Sequence, residues 1–345
     1  MVSTLDDTKR MAIGMKLADM KALQELLISN EQKFINECGD QEISNRLREM
    51  LEDDRKNMGV LDTVIVQYGV KAQPKQTVTK MIEEARKLME GSELTLFEKV
   101  AQHELLKHKQ TMSGLLVHKA AQVVGADVEA AITPLNTVNF ENRAHQEQLK
   151  GILEILGTRE LTGKDPDQGI WARVQDAVAA LSGVVGSTLT QNSGMSDMTI
   201  EQIIRMDHTK ANTLFMEIQN SKDPQKIQEY FGQLYKDLMA HAKAEEQVVY
   251  PAIRSYYEKT QDLYQEQAEQ ARMLDEIKSM SPSSPQFKEK VQQLMKATQH
   301  HISQEENEMF PKLRDNFSNQ QQQQMASEFK SAKSKLQDQM ASSKK

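Results

Sequence analysis

A single cysteine, Cys38, stands in 345 residues. An intrachain disulfide and a thiolate metal cluster both need at least a second sulfur, so neither is available. Aromatic residues make up only 5% of the chain, with eight Pro and fifteen Gly, which leaves little material for turn-rich β architectures and points to long helices. No run of eighteen apolar residues occurs, and the opening MVSTLDDTKR is polar and acidic rather than a secretory leader. A cytoplasmic protein with no membrane partner is expected. Lys and Arg number 43 against 50 Asp and Glu, a net charge of −7. Nucleic-acid binding draws much of its affinity from clustered cations neutralising phosphates, so no nucleic-acid partner is expected either.

What the chain does have is charge, 27% of residues, and twenty Met, a flexible core filler. The length suffices for two domains with their own cores. Apolar residues at helical spacing predict long helices near 6–35, 43–68, 94–124 and 128–156, with Pro134 kinking the last. A further helix is predicted at 170–189, able to cover the end of the first domain or to contact a second copy. TQNSGMSD, 190–197, has the composition of a linker. Four more helices follow from Thr199, and the Gln-, Ser- and Lys-rich end from Asn319 reads as a frayed or solvent-facing helix. The division is 1–160, a connecting helix and linker over 161–198, a second domain over 199–315 and a polar helical tail over 316–345. The fold class is all-α, two antiparallel four-helix bundles joined by a linker.

Fourteen residues are written twice in the second domain. HAKAEEQVVYPAIR, beginning at His241, returns as HISQEENEMFPKLR, beginning at His301. Residues four apart share a helix face, so His241 projects with Glu245 and His301 with Glu305. Pro lacks an N–H and clashes with the preceding turn, so each helix is expected to stop or kink near Tyr250 and Phe310. The apolar seam through Ile227, Phe231, Leu234 and Leu238 continues to His241, Glu245 and Val248; Val291, Leu294 and Thr298 lead likewise to His301 and Glu305. Both pairs therefore lie on core lines. A buried carboxylate needs a partner, and a metal ion satisfies imidazole and carboxylate together.

With Asp207 and His208 on the preceding helix, these repeated offsets resemble the HHE cation-binding branch of the hemerythrin family. The resemblance implies an up-and-down bundle holding non-haem iron, one or two ions, with His208, His241, Glu245, His301 and Glu305 as ligands. Manganese or zinc would also suit such donors. The third helix has no histidine and points Gln267 and Gln270 inward, so Glu266, Tyr264, Glu246, Glu306 and His300 are further candidates to ligate or line the site. The seam selects His301 over His300. The first domain resembles the ferritin-like superfamily. Glu104 with His108 and Glu141 with His145, beside Glu31 and Asp54, are its candidate metal ligands, at a spacing of four where diiron members of that superfamily use three.

The resemblances imply a partner in oxygen or hydrogen peroxide, and a role in oxidative-stress protection and iron handling that includes catalase-like peroxide decomposition. Iron or oxygen sensing and metal storage without catalysis are alternatives. A homo-oligomer could form through the first bundle or the 170–189 helix.

Overall fold

The computed structural model describes residues 8–166, 169–185 and 198–342, and every regular element among them is helical. The linker expected at 190–197 and the end of the 170–189 helix lie outside the described residues.

The first group comprises α1 (Thr8–Glu37), α2 (Gln41–Tyr68), α3 (Gln76–Glu90), α4 (Leu96–Val124), α5 (Ala126–Ile132), α6 (Leu135–Thr162) and α7 (Ile170–Val185). Local chemistry sets their ends. Asp40 accepts from the N–H groups of Glu42 and Ile43 to start α2, and Thr95 with Glu98 forms a reciprocal cap on α4. Pro134 breaks rather than bends the predicted fourth helix, separating α5 from α6. α1 packs on α2 and α4, and α6 on α4 and α2.

Apolar spacing predicts an inward line on α4 through Phe97, Ala101, Glu104, His108 and Leu115, and none of these five is fully buried. Val100, His103, Lys107, Gln110, Gly114 and Val117 are buried, whereas Leu105, Leu115 and Leu116 are exposed. Glu104 and His108 thus sit one position off the buried line.

The second group comprises α8 (Ile200–Asn220), α9 (Pro224–Ala244), α10 (Tyr250–Ile253), α11 (Thr260–Lys278), α12 (Pro285–Gln304), α13 (Phe310–Asn316) and α14 (Asn319–Ser342). α9 joins α10 through a π-turn, Glu245–Val249, and α12 joins α13 through another, Glu305–Met309. The prolines do not end the helices near Tyr250 and Phe310. In each repeat the residue before proline donates instead across the wider turn, Tyr250 N–H to Glu245 O and Phe310 N–H to Glu305 O. The inserted residue shifts the register by one, so Val249 is buried where Val248 was expected.

α14 is also not a solvent-facing tail. Gln322, Met325, Ala326, Phe329, Lys333 and Gln337 are buried along one stripe against α8, α9 and α2. At 24 residues it is rich in Gln, Ser and Lys, yet this narrow stripe is enough to dock it.

The two groups touch through α5 on α8 and α14 on α2. Buried Lys210 on α8 donates to the last carbonyls of α2, Gln67 at 2.5 Å and Tyr68 at 3.0 Å, and pairs with Asp237 at 2.9 Å. Gly69 closes α2 with φ of 74°, and a Cβ there would lie 2.6 Å from Asp237 Oδ1. Both the left-handed backbone and the close approach require glycine.

Candidate metal centre

Between two apolar clusters of the second group lies a polar layer. Leu214, Phe215, Phe231 and Leu294 pack on one side, and Ile204, Val249, Leu263 and Phe310 on the other. His208 from α8, His241 and Glu245 from α9 and its π-turn, and Glu305 from the second π-turn each offer a ligand atom, all within 4.8 Å of one another. Glu245 and Glu305 are fully buried, and His208 and His241 nearly so.

Each histidine of the layer turns Nδ1 to a carboxylate. Asp207 accepts from His241 at 2.9 Å, Glu306 from His208 at 2.8 Å and Glu266 from His301 at 2.7 Å. That leaves each Nε2 facing inward, 3.1 Å from Glu245 for His241, 3.1 Å from Glu305 for His208 and 3.3 Å from Glu305 for His301. A carboxylate behind the far ring nitrogen fixes the tautomer and strengthens an imidazole as a ligand.

The two glutamates are organised by a side chain the sequence reading missed. Tyr250 donates to Glu305 at 2.7 Å and accepts from Gln267 at 2.7 Å, while Gln267 also donates to Glu245 at 2.7 Å. Its signal was present in the repeat, where Tyr250 and Phe310 hold the same offset; only the π-turn brings that offset back to the site. Phe310 lies parallel to the His208 ring at 6.5 Å.

The charges are balanced tightly. Burial disfavours the imidazolium of His241, but Glu245 and Asp207 outweigh it and raise the ring to about 10. His301 is likewise raised to about 10 by Glu305 and Glu266 against burial. Burial and then Glu305 push Glu245 up, whereas His301 and His208 hold Glu305 well down despite its burial. Buried Asp207 is kept ionised by Lys333 and His241.

These donors fit a cation. Glu245 Oε1 is buried without a hydrogen-bond partner, and His208 Nε2 and Glu305 Oε2 are buried with only each other, 3.1 Å apart, an arrangement that a shared cation would satisfy. Nitrogen and oxygen donors with no thiolate suit iron or manganese, and also zinc. A cavity of about 40 Å³ adjoins them, lined by His208, His241, Gln267, Thr298 and His301 among others.

His301 stands apart from the four converging donors, with the Tyr250 hydroxyl 3.2 Å from its Nε2. Gln267 and Gln270 are buried and point inward, Gln270 accepting from Thr298 at 3.0 Å. Tyr264 packs edge-on against Tyr250 at 5.0 Å. Glu246 pairs with Lys243, Glu306 also binds Arg205, and His300 is exposed.

In the first group the six candidates do not converge on a free centre. Glu31, Asp54 and His145 are buried together, but the ammonium of Lys107 lies among them, bonded to Asp54, 3.1 Å from Glu31 and 3.0 Å from His145. Its charge stands where an ion would. Glu104 and His108 instead meet Gln146, at 3.0 and 3.1 Å, and Glu141 is only partly buried. His103, not foreseen from the sequence, completes the network 3.2 Å from Glu31.

Residues 199–313 match the family model for the hemerythrin HHE cation binding domain. Over its full length the chain is similar to a protein of Nostoc sp. (strain PCC 7120) named DNA nickase, 66% identical over 339 residues, covering 98% of this chain and 97% of that protein. No solved structure matches. Among the described residues no helix is long and apolar enough to cross a membrane.

Proposed function

The chain belongs to the family of the Nostoc DNA nickase and carries the hemerythrin HHE domain in its second half, and from that premise we propose that it is a non-haem metal protein that nicks DNA. The observation that carries the substrate is the match itself, 66% identity over 98% of the chain. It extends through both helical groups, taken as a ferritin-like and a hemerythrin-like four-helix bundle, rather than the HHE region alone. A net charge of −7 does not forbid this reading, because local placement of Lys and Arg governs phosphate contact.

Iron is the ion the family likeness favours, held by His208, His241, Glu245 and Glu305, with His301 and Gln267 beside them. Bound there, it would supply Lewis acidity and one-electron chemistry toward oxygen or peroxide. The chain's own residues hold the rings by Nδ1 and order the glutamates through Tyr250 and Gln267. The cavity of about 40 Å³ beside them has room for water, oxygen or peroxide. Oxidative nicking with such a small co-substrate fits this site.

Supercoiled plasmid tests this. Metal-loaded protein should convert it to open circles, and chelator or the His241→Ala substitution should stop the conversion. Nicks that DNA ligase cannot reseal support the oxidative route, and nicks it reseals support hydrolysis. Absence of nicking by metal-loaded protein removes the reading.

The small chamber favours a second reading, peroxide or oxygen handling in oxidative-stress protection with no DNA involved. Oxygen evolution from peroxide by iron-loaded protein, without plasmid nicking, would select it.

A further inference from the structure

We propose that Lys333, on α14 and outside the residues that match the HHE family, is a positioning residue of the cation site: through Asp207 it holds the His241 ring with Nε2 turned to the ion. This rests on the reading that an ion sits among His208, His241, Glu245 and Glu305.

The connection is short. Lys333 is 1% exposed, and its ammonium donates to Asp207 Oδ1. The other oxygen, Asp207 Oδ2, accepts from His241 Nδ1 at 2.9 Å, and His241 Nε2 lies 3.1 Å from Glu245. One turn earlier on α14, Phe329 meets the His241 ring edge-on at 5.8 Å. The same helix therefore touches the ring through Phe329 and, through Asp207, holds its Nδ1.

The energetics favour a specific role. Burying an ammonium is costly unless it is paired, so an apolar residue would dock this stripe of α14 more cheaply. With Lys333 present, Asp207 is bonded through both oxygens and its carboxylate plane is set. Without it, the carboxylate keeps one partner and can rotate, and the imidazole loses a fixed anchor.

α14 is itself held from the far side. Gln337 donates to Val66 O at 3.0 Å, Lys330 to Thr63 Oγ1 at 3.3 Å and Lys71 to Ser334 Oγ at 2.6 Å. The first helical group thereby sets where Lys333 stands, and a fragment limited to the HHE match lacks it.

The test is titration of the full-length protein with Co²⁺, read by its visible ligand-field absorption, for the wild type, Lys333→Met, Lys333→Arg, Asp207→Asn and the Lys333→Met, Asp207→Asn double variant. Partners behind a ligating histidine are worth 10–100-fold in affinity, so Lys333→Met should weaken Co²⁺ binding by about 10-fold or more and alter the band. Lys333→Arg should recover most of the affinity, and Lys333→Met should add little in the Asp207→Asn background. Should Lys333→Met fail to fold, Lys333→Gln takes its place, with folding checked by circular dichroism. A folded variant that melts lower but binds Co²⁺ as tightly as the wild type overturns the proposal. So does a full additive loss in the Asp207→Asn background, or no recovery with arginine. If the wild type binds no Co²⁺, the cation reading fails and this inference with it; equal binding by wild type and variants refutes the inference alone.

Discussion

The Tyr250 hydroxyl donates to Glu305 at 2.7 Å, joining the two repeats through a residue that lies five positions beyond the glutamate of its own copy. In a regular α-helix a residue five positions on would point well away from that face. The π-turn returns it, and the same turn in the second copy brings Phe310 against His208.

Tyr250→Phe should therefore cost stability as well as order. It takes from Glu305 Oε1 the nearer of its two partners, leaving His301 Nε2 at 3.3 Å, and takes from Gln267 one acceptor, a loss of about 1–3 kcal/mol for buried groups. Urea denaturation of variant and wild type measures it, and equal midpoints with equal slopes would refute the assigned bonds.

Removing the ion should lower the melting temperature. A ligand that binds only the native state at 100 times its dissociation constant stabilises by about 2.7 kcal/mol. Chelator should depress the melt of metal-loaded wild type, while a His241→Ala, His301→Ala double variant should show no metal response. An identical response from that variant would move the site elsewhere.

Lys107→Met should destabilise the first helical group strongly. It removes the cation bonded to Asp54 and close to Glu31, both buried, and an uncompensated buried charge costs about 3–5 kcal/mol. Adding Asp54→Leu to Lys107→Met should recover part of the loss. Chemical denaturation reads both, and a near-neutral Lys107→Met would show that the network carries little energy.

His103 makes the first group sensitive to acid. Burial, helped by Lys107, lowers its ring to about 3, so it stays neutral in the folded protein. Unfolded, it takes up a proton below about 6.5. Its contribution is whole above that pH and is lost as pH falls toward 3, at up to about 1.4 kcal/mol per pH unit. His103→Gln should flatten the loss of stability between pH 6.5 and 4 by about one proton, measured from urea midpoints across that range. Parallel curves for the two proteins would contradict the assignment.

Much of the second site was legible because its signal is local. A four-residue offset puts His241 with Glu245 and His301 with Glu305 whatever surrounds them, and the apolar seam leading to each pair tells which face is buried. The inward placement of Gln267 and Gln270 followed from the same spacing on α11. Tyr250 was not legible, since apolar spacing assumes 3.6 residues per turn and a π-turn changes the register within one turn. α4 misled for another reason: Leu105 and Leu116 face solvent while His103, Lys107 and Gln110 fill the interior, so burial there follows charge pairing rather than hydropathy.

The sequence by itself determined that the chain is helical, where the repeated pairs fall and that they face a core, because helix periodicity is a property of neighbours along the chain. Tertiary structure decided which donors share a centre, that Lys107 stands among the acidic residues of the first group, and that α14 reaches the second site. Those outcomes depend on contacts between residues up to 271 positions apart, as with Gln337 and Val66. Their meeting is set by packing of whole helices, and no local pattern encodes it.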